Sequence, residues 1–425
     1  MKQFKHNTLR KALAAVCLAA CASAAATPAA GTQSLQVLHW WKSASERKAV
    51  DLIAQRLGEQ DVGWHDGMVP SGSGVGAGIV LRSRMLAKDA PEVAQLNGIV
   101  IRDWARLDLL QELDAVATAG NWNKLLLPTV ASTIEYNGHV YAAPLGVHRI
   151  NTLFYNRKLL QRVGLPVPAT WPEFERVAAR LQQAGIVPLA QSSEPWQVAT
   201  LFETIVLSEG VDLYRGLFQR RDAAAYADPR LARALARLRG IKRWMGSPIR
   251  ERKWDDSVRE LVENRAAMMV MGDWAKGELV TQGMAVERDF GCAAVPGTER
   301  YHLFNVDTLS MLGTHPELRA AQEKLAALAL TPSLQVEYNA IKGSIPVLRN
   351  GANMKMDACA RASWKLFNSG AEAQVPSLVH RMSTDETVRD AIVAEVHRYF
   401  LDDSVTAADT QRRLAAIART STKTR

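Results

Sequence analysis

Apolar and polar residues alternate along this 425-residue chain with spacings that change from segment to segment after residue 35. Residues 35–39 form a short strand-like run. Residues 45–57 follow with Ala49, Leu52, Ile53 and Leu57 at helical spacing. Ser43-x-x-Glu46 has the capping-box pattern that opens a helix. A glycine-rich turn over 71–78, an amphipathic stretch over 79–87 and a strand around 92–96 come next. Residues 140–144 and 151–155 read as two further strands. The spacing predicts a helix over 171–184, with Thr170 as its cap and Pro172 in its first turn. A strand over 186–190 follows it. Residues 231–244 and 258–263 are predicted helical, 267–271 is a buried strand ended by Gly272, and the chain from Pro316 onward is mostly helix. Strands alternating with helices mean an α/β fold, with a ligand expected outside the carboxyl ends of the strands.

The pattern before residue 35 is of another kind. Residues 1–11 are basic, 12–20 are uninterruptedly apolar, and small residues follow as far as Ala30. This is the layout of a secretory signal, here placed at 1–24. The apolar run is too short to span a bilayer, which takes about 20 residues. Ala20-Cys21-Ala22 and Ala22-Ser23-Ala24 both offer cleavage sites. Leu18-Ala19-Ala20-Cys21 also resembles a lipobox, so a soluble periplasmic product is expected and a lipoprotein anchored at Cys21 stays open.

Composition narrows the function classes. The chain is 48% hydrophobic, which excludes a mainly disordered protein, and its length suggests more than one domain. Four of its nine excess positive charges (Lys2, Lys5, Arg10 and Lys11) lie in the leader. The remaining +5 is mixed along the sequence and makes no phosphate-binding stripe, so nucleic acid is not an expected partner. Beyond the leader only Cys292 and Cys359 remain. In an oxidising compartment they are either one disulfide or two buried thiols. The nine histidines are scattered and no C-x-x-C or H-E-x-x-H occurs, so no metal site and no cofactor are expected.

Catalytic signatures are weak. Gly72-Ser73-Gly74-Val75-Gly76-Ala77 fits a loose dinucleotide-loop pattern, but Pro70 stands where the feeding strand should end. Neither G-x-x-x-x-G-K-[ST] nor G-x-S-x-G is present. Glu46, Asp273, Glu278 and Asp307 could pair for glycoside hydrolysis, yet nothing in the sequence brings two of them to a defined separation. Tryptophan says more: with 11 residues it outnumbers Phe (9) and Tyr (8). Trp40-Trp41 falls at the carboxyl end of the first strand, where an indole face can pack on the C–H face of a pyranose. Neighbouring strand residues face opposite ways, so one of the pair is expected to point away from the core.

At this point the residues resemble a family. Tyr155-Asn156-Arg157-Lys158-Leu159-Leu160, Gly164-Leu165-Pro166, Thr170-Trp171-Pro172-Glu173-Phe174 and Ala184-Gly185-Ile186-Val187-Pro188-Leu189 are similar to blocks of family 1 extracellular solute-binding proteins of ABC importers. Asn264-Arg265-Ala266-Ala267-Met268 with Met271-Gly272-Asp273-Trp274 resembles a second hallmark. Within the family the likeness is nearest to glucose/mannose-type receptors. The resemblance implies a two-lobed periplasmic-binding-protein fold with a ligand cleft between discontinuous lobes. Residues 34–146 with 299–345 would make the N-terminal lobe, and 147–298 with 346–425 the C-terminal lobe. Hinge crossings are expected near 144–148, 296–304 and 342–348. It also implies a non-enzymatic receptor, working as a monomer, that delivers a monosaccharide to inner-membrane ABC permease subunits. An oligosaccharide or polyol receptor, an exported glycosidase and a sensory receptor are the alternatives.

Carried over by motif, Trp40, Trp41 and Trp274 would stack on the sugar, while Glu46, Gln95, Asn305, Asp307, Lys342 and His380 would bind its hydroxyls. Each has a plainer reading: Glu46 as a helix cap, Lys342 as a surface charge, His380 as a core histidine. His148 is either ligand or strut. The chain departs from the glucose-type pattern at Lys42-Ser43-Ala44-Ser45-Glu46, where those receptors tend to have Thr-Ser-Gly-Gly-Glu. It departs again at Asn97, where they often have His.

Overall fold

The computed structural model describes residues 33–69 and 74–420. The leader, its cleavage sites and Cys21 lie outside the described residues. Twelve strands are present among them: β1 Gln33–His39, β2 Val62–Met68, β3 Val93–Gln95, β4 Glu135–Tyr136, β5 His139–Val140, β6 Ala143–Arg149, β7 Thr152–Asn156, β8 Val187–Leu189, β9 Ala266–Met271, β10 Phe290–Ala294, β11 His302–Met311 and β12 Gln374–Pro376. They form a six-stranded sheet (order β12-β11-β3-β1-β2, with β6 also paired to β11), a four-stranded sheet (β10-β7-β9-β8) and the β4-β5 hairpin. Within the six-stranded sheet β1 runs parallel to β2 and β3, and β11 runs antiparallel to β3 and β6.

Each of the two main sheets has its own hydrophobic core, and this makes the α/β molecule two-lobed. The first core takes Leu35 through Val147, then Phe304 through Phe367. The second takes Ile150 through Leu303, then Val375 through Ala418. Long helices cover each sheet because one apolar stripe of each must leave water. On the helix Ala44–Gly58 that stripe is Ala49, Val50, Ile53 and Leu57. On Trp171–Gln183 it is Phe174, Val177, Ala178 and Leu181.

The chain crosses between cores at 147–150, at 303–304 and between Phe367 and Val375. The last crossing falls later than the expected boundary at 345/346. Backbone pairing is the reason: Ile345 exchanges hydrogen bonds with Val147, and the Leu127 amide donates to Val347 O, so the segment after Lys342 stays with the first lobe. The glycine-rich turn is also displaced. The helix Val75–Leu86 begins inside it, with Gly74 at φ +77 as its cap. Cys292 and Cys359 are joined in a disulfide with Cα atoms 5.9 Å apart. It ties β10 of the second sheet to the helix Ala358–Phe367, whose Ala360 and Phe367 pack in the first core. Among the described residues no helix is long and apolar enough to cross a membrane.

Candidate functional site

The site begins with a gap beside β11. That strand is buried along its whole length, and β6 covers one side of it from Phe304 to Leu309. On the other side β12 pairs with 302–304 and β3 with 309–311, which leaves 305–308 without a strand neighbour among the described strands. The β6 register shifts between Asp307 and Thr308, a bulge of the kind that re-aims side chains beside functional sites. Asn305 and Asp307 occupy the gap. Asn97, from the loop after β3, donates to Asp307 Oδ1 (3.1 Å) and Asn305 Oδ1 (3.3 Å). Asp307 Oδ2 lies 3.1 Å from His148 Nε2 and 3.9 Å from Lys342 Nζ. Burial by itself would raise the Asp307 pKa. The His148 charge and hydrogen bond, the Lys342 charge and the Asn97 bond together hold it far below the ordinary carboxylate range.

A cavity with about 640 Å³ of empty volume, counting the part open to solvent, lies over this floor. Its first-lobe wall follows from where β1 ends. Trp41 turns inward and is 1% exposed, packed against His39 and edge-on to Tyr338. Trp40 turns the other way and lies against Gly74, where a Cβ would come within 2.9 Å of the indole. Ser43 then caps the helix in a complete capping box. Glu46 Oε2 accepts the amides of Lys42 and Ser43, both at 3.1 Å, and Oε1 accepts Lys342 Nζ at 3.0 Å. Lys342 ends the helix Pro332–Lys342, and Gly343 at φ +95 terminates it. That left-handed turn is also a close approach, since a Cβ there would lie 2.1 Å from Asp273 O in the other lobe.

The second-lobe wall is mostly aromatic. Trp274 and Trp254 each open a helix and Trp196 is the second residue of the helix Pro195–Glu209, and the three line the same cavity. Trp274 and Trp196 are 6.4 Å apart, and His380 packs on both at 5.2 and 6.3 Å. Ser377 Oγ donates to Glu203 Oε1 (2.8 Å), so it accepts from His380 Nδ1 at 3.0 Å. This selects the tautomer with a proton on Nδ1 and leaves Nε2 as an acceptor without a partner among the described residues. Burial lowers the His380 pKa despite Glu203, and the ring is neutral at pH 7. Glu194 Oε2 accepts Trp196 Nε1 (2.9 Å) and Gln197 Nε2 (2.7 Å). Lys42 and Arg381 complete the lining.

Eight of the nine residues singled out from sequence therefore meet at one cavity: Trp40, Trp41, Glu46, Trp274, Asn305, Asp307, Lys342 and His380. Gln95 does not line it. Its Oε1 accepts the Trp40 amide at 3.3 Å, so it stands behind the wall. His148 also lies outside the lining and is fully buried, which makes it a strut. Sequence reasoning missed Glu194, Trp196, Trp254 and Arg381. The available signal was a Trp in the first turn of a helix, as Trp196 and Trp254 are. One group suited to a cation, Glu112, Asp114 and His139, occurs among the described residues, outside this cavity. His139 Nδ1 is already 2.6 Å from Asp114 Oδ2, an ion pair on the surface hairpin.

Two lobes with a polar floor and aromatic walls between them define a two-lobed solute receptor. The sequence matches bacterial extracellular solute-binding proteins over residues 60–333. It is 33% identical over 405 residues to a probable sugar-binding periplasmic protein of Rhizobium meliloti, covering 94% of this chain and 95% of that one. A Brucella suis protein of the same description is 32% identical over 418 residues, covering 97% and 98%. The chain belongs to the family of bacterial extracellular solute-binding proteins. Among solved structures it is similar to the bacterial solute receptor AcbH, described as having an exclusive preference for β-D-galactopyranose (TM-score 0.76, 17% identity, 93% of this chain and 99% of that one). It is also similar to maltose-bound T. maritima MalE3 (TM-score 0.75, 18% identity, 91% and 99%). At these identities the likeness is one of fold.

Proposed function

We propose that the protein is a periplasmic receptor that captures a hexopyranose monosaccharide, glucose-, mannose- or galactose-like, and delivers it to the membrane subunits of an ABC importer. The observation that carries this reading is the convergence of tryptophans from both lobes on a floor of buried, oriented hydrogen-bonding groups. Apolar faces with a few fixed polar groups are what a pyranose requires, because its ring carbons are apolar on their faces and its hydroxyls lie around the rim. Trp40 and Trp274 serve as stacking faces. Asp307, Asn305, Glu46, Lys342 and His380 Nε2 serve the hydroxyls. Relatives described as sugar-binding periplasmic proteins, and one described as an ABC transporter extracellular-binding protein, support the same assignment.

A glycosidase reading is disfavoured by the carboxylates themselves. A glycosidase acid needs a raised pKa. Asp307 is held in the opposite direction, and Glu46 is engaged by Lys342 and its own helix cap. An oligosaccharide ligand is the second reading, favoured by the additional indoles of Trp196 and Trp254.

Calorimetric titration of the unliganded protein with D-glucose, D-mannose, D-galactose and a series of short oligosaccharides tests the proposal. Saturable 1:1 binding of one hexose at micromolar strength or tighter is expected. Binding of oligosaccharides alone would move the assignment to the second reading, and no binding to any saccharide would overturn it.

A further inference from the structure

His148 is fully buried, is not part of the lining of the site cavity, and yet holds two carboxylates, one from each lobe. Its Nε2 lies 3.1 Å from Asp307 Oδ2 and its Nδ1 2.5 Å from Asp273 Oδ1. The first contact follows from strand register. His148 on β6 stands opposite Asn305 on β11, so Asp307, two residues on, is its diagonal neighbour on the same face. The second contact follows from the hinge. The next residue, Arg149, ends β6, and its amide donates to Asp273 Oδ2 at 2.9 Å. Asp273 is the cap position of the helix Trp274–Thr281 in the second lobe, and Trp274 packs edge-on against the His148 ring at 5.4 Å.

We propose that His148 is the positioning residue of this binding site: it clamps the cavity-facing carboxylate of Asp307 to the start of the second-lobe helix. Asp307 is then oriented for a ligand only while that helix is in place, and the fit of the floor becomes linked to the angle between the lobes. This rests on the sugar-receptor reading, because it assumes that the solute is held by Asp307.

The charges around the ring favour its protonated form. Both neighbours on β11 and on the second-lobe helix are carboxylates, Asp307 and Asp273. On the far side of Asp307 stands a cation, Lys342, which faces that carboxylate and is itself paired with Glu46. Arg149 follows His148 on the same strand, and His302 lies near enough on β11 to feel its charge. Burial pushes the His148 pKa down, but the two carboxylates outweigh burial and leave it raised above 6.5. With two carboxylates to satisfy and two ring N–H groups to offer, only the imidazolium donates to both. Deprotonation removes one donor and leaves a buried carboxylate short of a partner.

The test uses the unliganded wild-type protein and the His148→Gln variant, titrated calorimetrically with D-glucose, D-mannose and D-galactose from pH 5.5 to 9. Glutamine offers a donor but no charge and cannot bridge both partners. The expected result is a wild-type affinity that falls as pH rises through the raised imidazole value. The variant is expected to bind about 10- to 100-fold more weakly with no such alkaline fall. A purely structural role would lower the variant's affinity but leave the pH slope in place, and that outcome would overturn the proposal. So would a wild-type affinity that is flat over this range. The 15N shifts of the His148 ring in unliganded wild-type protein give a second measurement that needs neither the variant nor a sugar. An imidazolium at pH 7 is expected, and a neutral ring there overturns the proposal even if no hexose binds. Failure of wild-type protein to bind any saccharide, with an imidazolium present, would instead indict the receptor reading.

Discussion

Lys342 Nζ sits 3.0 Å from Glu46 Oε1, although the two residues are 296 positions apart in the chain, and both are buried at the cavity wall. The sequence offered two readings of each, cap or ligand for Glu46 and surface charge or ligand for Lys342. The fold answers with a combination, because one oxygen of Glu46 serves the capping box and the other the lysine. Removing one partner of a buried pair leaves an uncompensated charge, which costs about 3–5 kcal/mol. Lys342→Met should therefore lower the thermal midpoint markedly and abolish sugar binding. Glu46→Gln, which keeps a capping-box residue, should lose affinity with a smaller stability loss. Differential scanning calorimetry and ligand titration on the same samples check both.

The tryptophan pair should separate stability from binding. Trp41 is 1% exposed in the first core, so Trp41→Ala should cost about 3–5 kcal/mol of stability. Trp40 is only partly buried, lying against Gly74 and the edge of the first core. Trp40→Ala should cost clearly less stability than Trp41→Ala and weaken sugar binding by about tenfold.

Gly98 marks a contact between lobes. It adopts φ +59, and a Cβ there would lie 2.2 Å from the carbonyl oxygen of Arg381, which accepts the Ile99 amide at 3.0 Å. Gly98→Ala meets both backbone strain and a clash with main chain. The lobes should be held apart, with a larger radius of gyration in the presence of saturating sugar than wild type shows and an affinity at least tenfold lower. Small-angle scattering with and without ligand reads the first, titration the second.

Acid should weaken the fold through buried neutral histidines. Burial drives the His302 pKa well below 6.5 and lowers those of His380 and His39. Below pH 6.5 the unfolded chain takes up protons that the folded protein refuses, so stability falls as pH falls. A histidine that stays neutral down to pH 5 costs about 2 kcal/mol there. His148 has the opposite sign: its raised value makes its contribution complete below pH 6.5 and lost as pH climbs through that raised value. Urea midpoints should therefore pass through a maximum near neutrality, and His302→Gln should flatten the acid limb alone.

The disulfide closes a separation of 67 residues between the two lobes. In the loop-entropy account its loss costs about 4 kcal/mol. Cys292→Ser with Cys359→Ser should lower the thermal midpoint, and the reductant dithiothreitol should do the same to wild type but leave the double variant unaffected.

Much of the architecture was legible in the chain because its segments obey local rules. The helices Ala44–Gly58 and Trp171–Gln183 carry one apolar stripe and a capping box each, and their predicted limits lie within a residue of those observed. β11 and the helix Pro195–Glu209 were missed, and what they share is burial on every side along most of their length. Apolar and polar residues do alternate over Phe304–Asp307 and Thr308–Met311, but the polar ones, Asn305, Asp307, Thr308 and Ser310, are all buried, so the alternation marks no solvent face. Residues 196–207 of the helix are all buried too, and its polar residues at helical spacing, Gln197, Thr200, Glu203 and Thr204, face the interior instead of water. Glu194 and Trp196, at the start of that helix, went unseen along with it, and Trp254 lies ahead of the predicted start of its own helix.

What the sequence by itself determined is local: period, caps, turns, and the blocks whose order marks the family. The two lobes and eight of the cavity's lining residues followed from those blocks. Only the tertiary structure decided how each side chain is spent. Gln95 hydrogen-bonds the Trp40 backbone instead of lining the cavity, His148 is a strut between two carboxylates, and Trp41 belongs to the core while Trp40 does not. These outcomes depend on which groups 55 to 159 residues away arrive within about 3 Å, on a bulge between Asp307 and Thr308, and on lobes meeting where a glycine leaves room. Hydrogen bonds and charges are short-ranged and directional, so their pairing is set by packing geometry that no stretch of sequence carries alone.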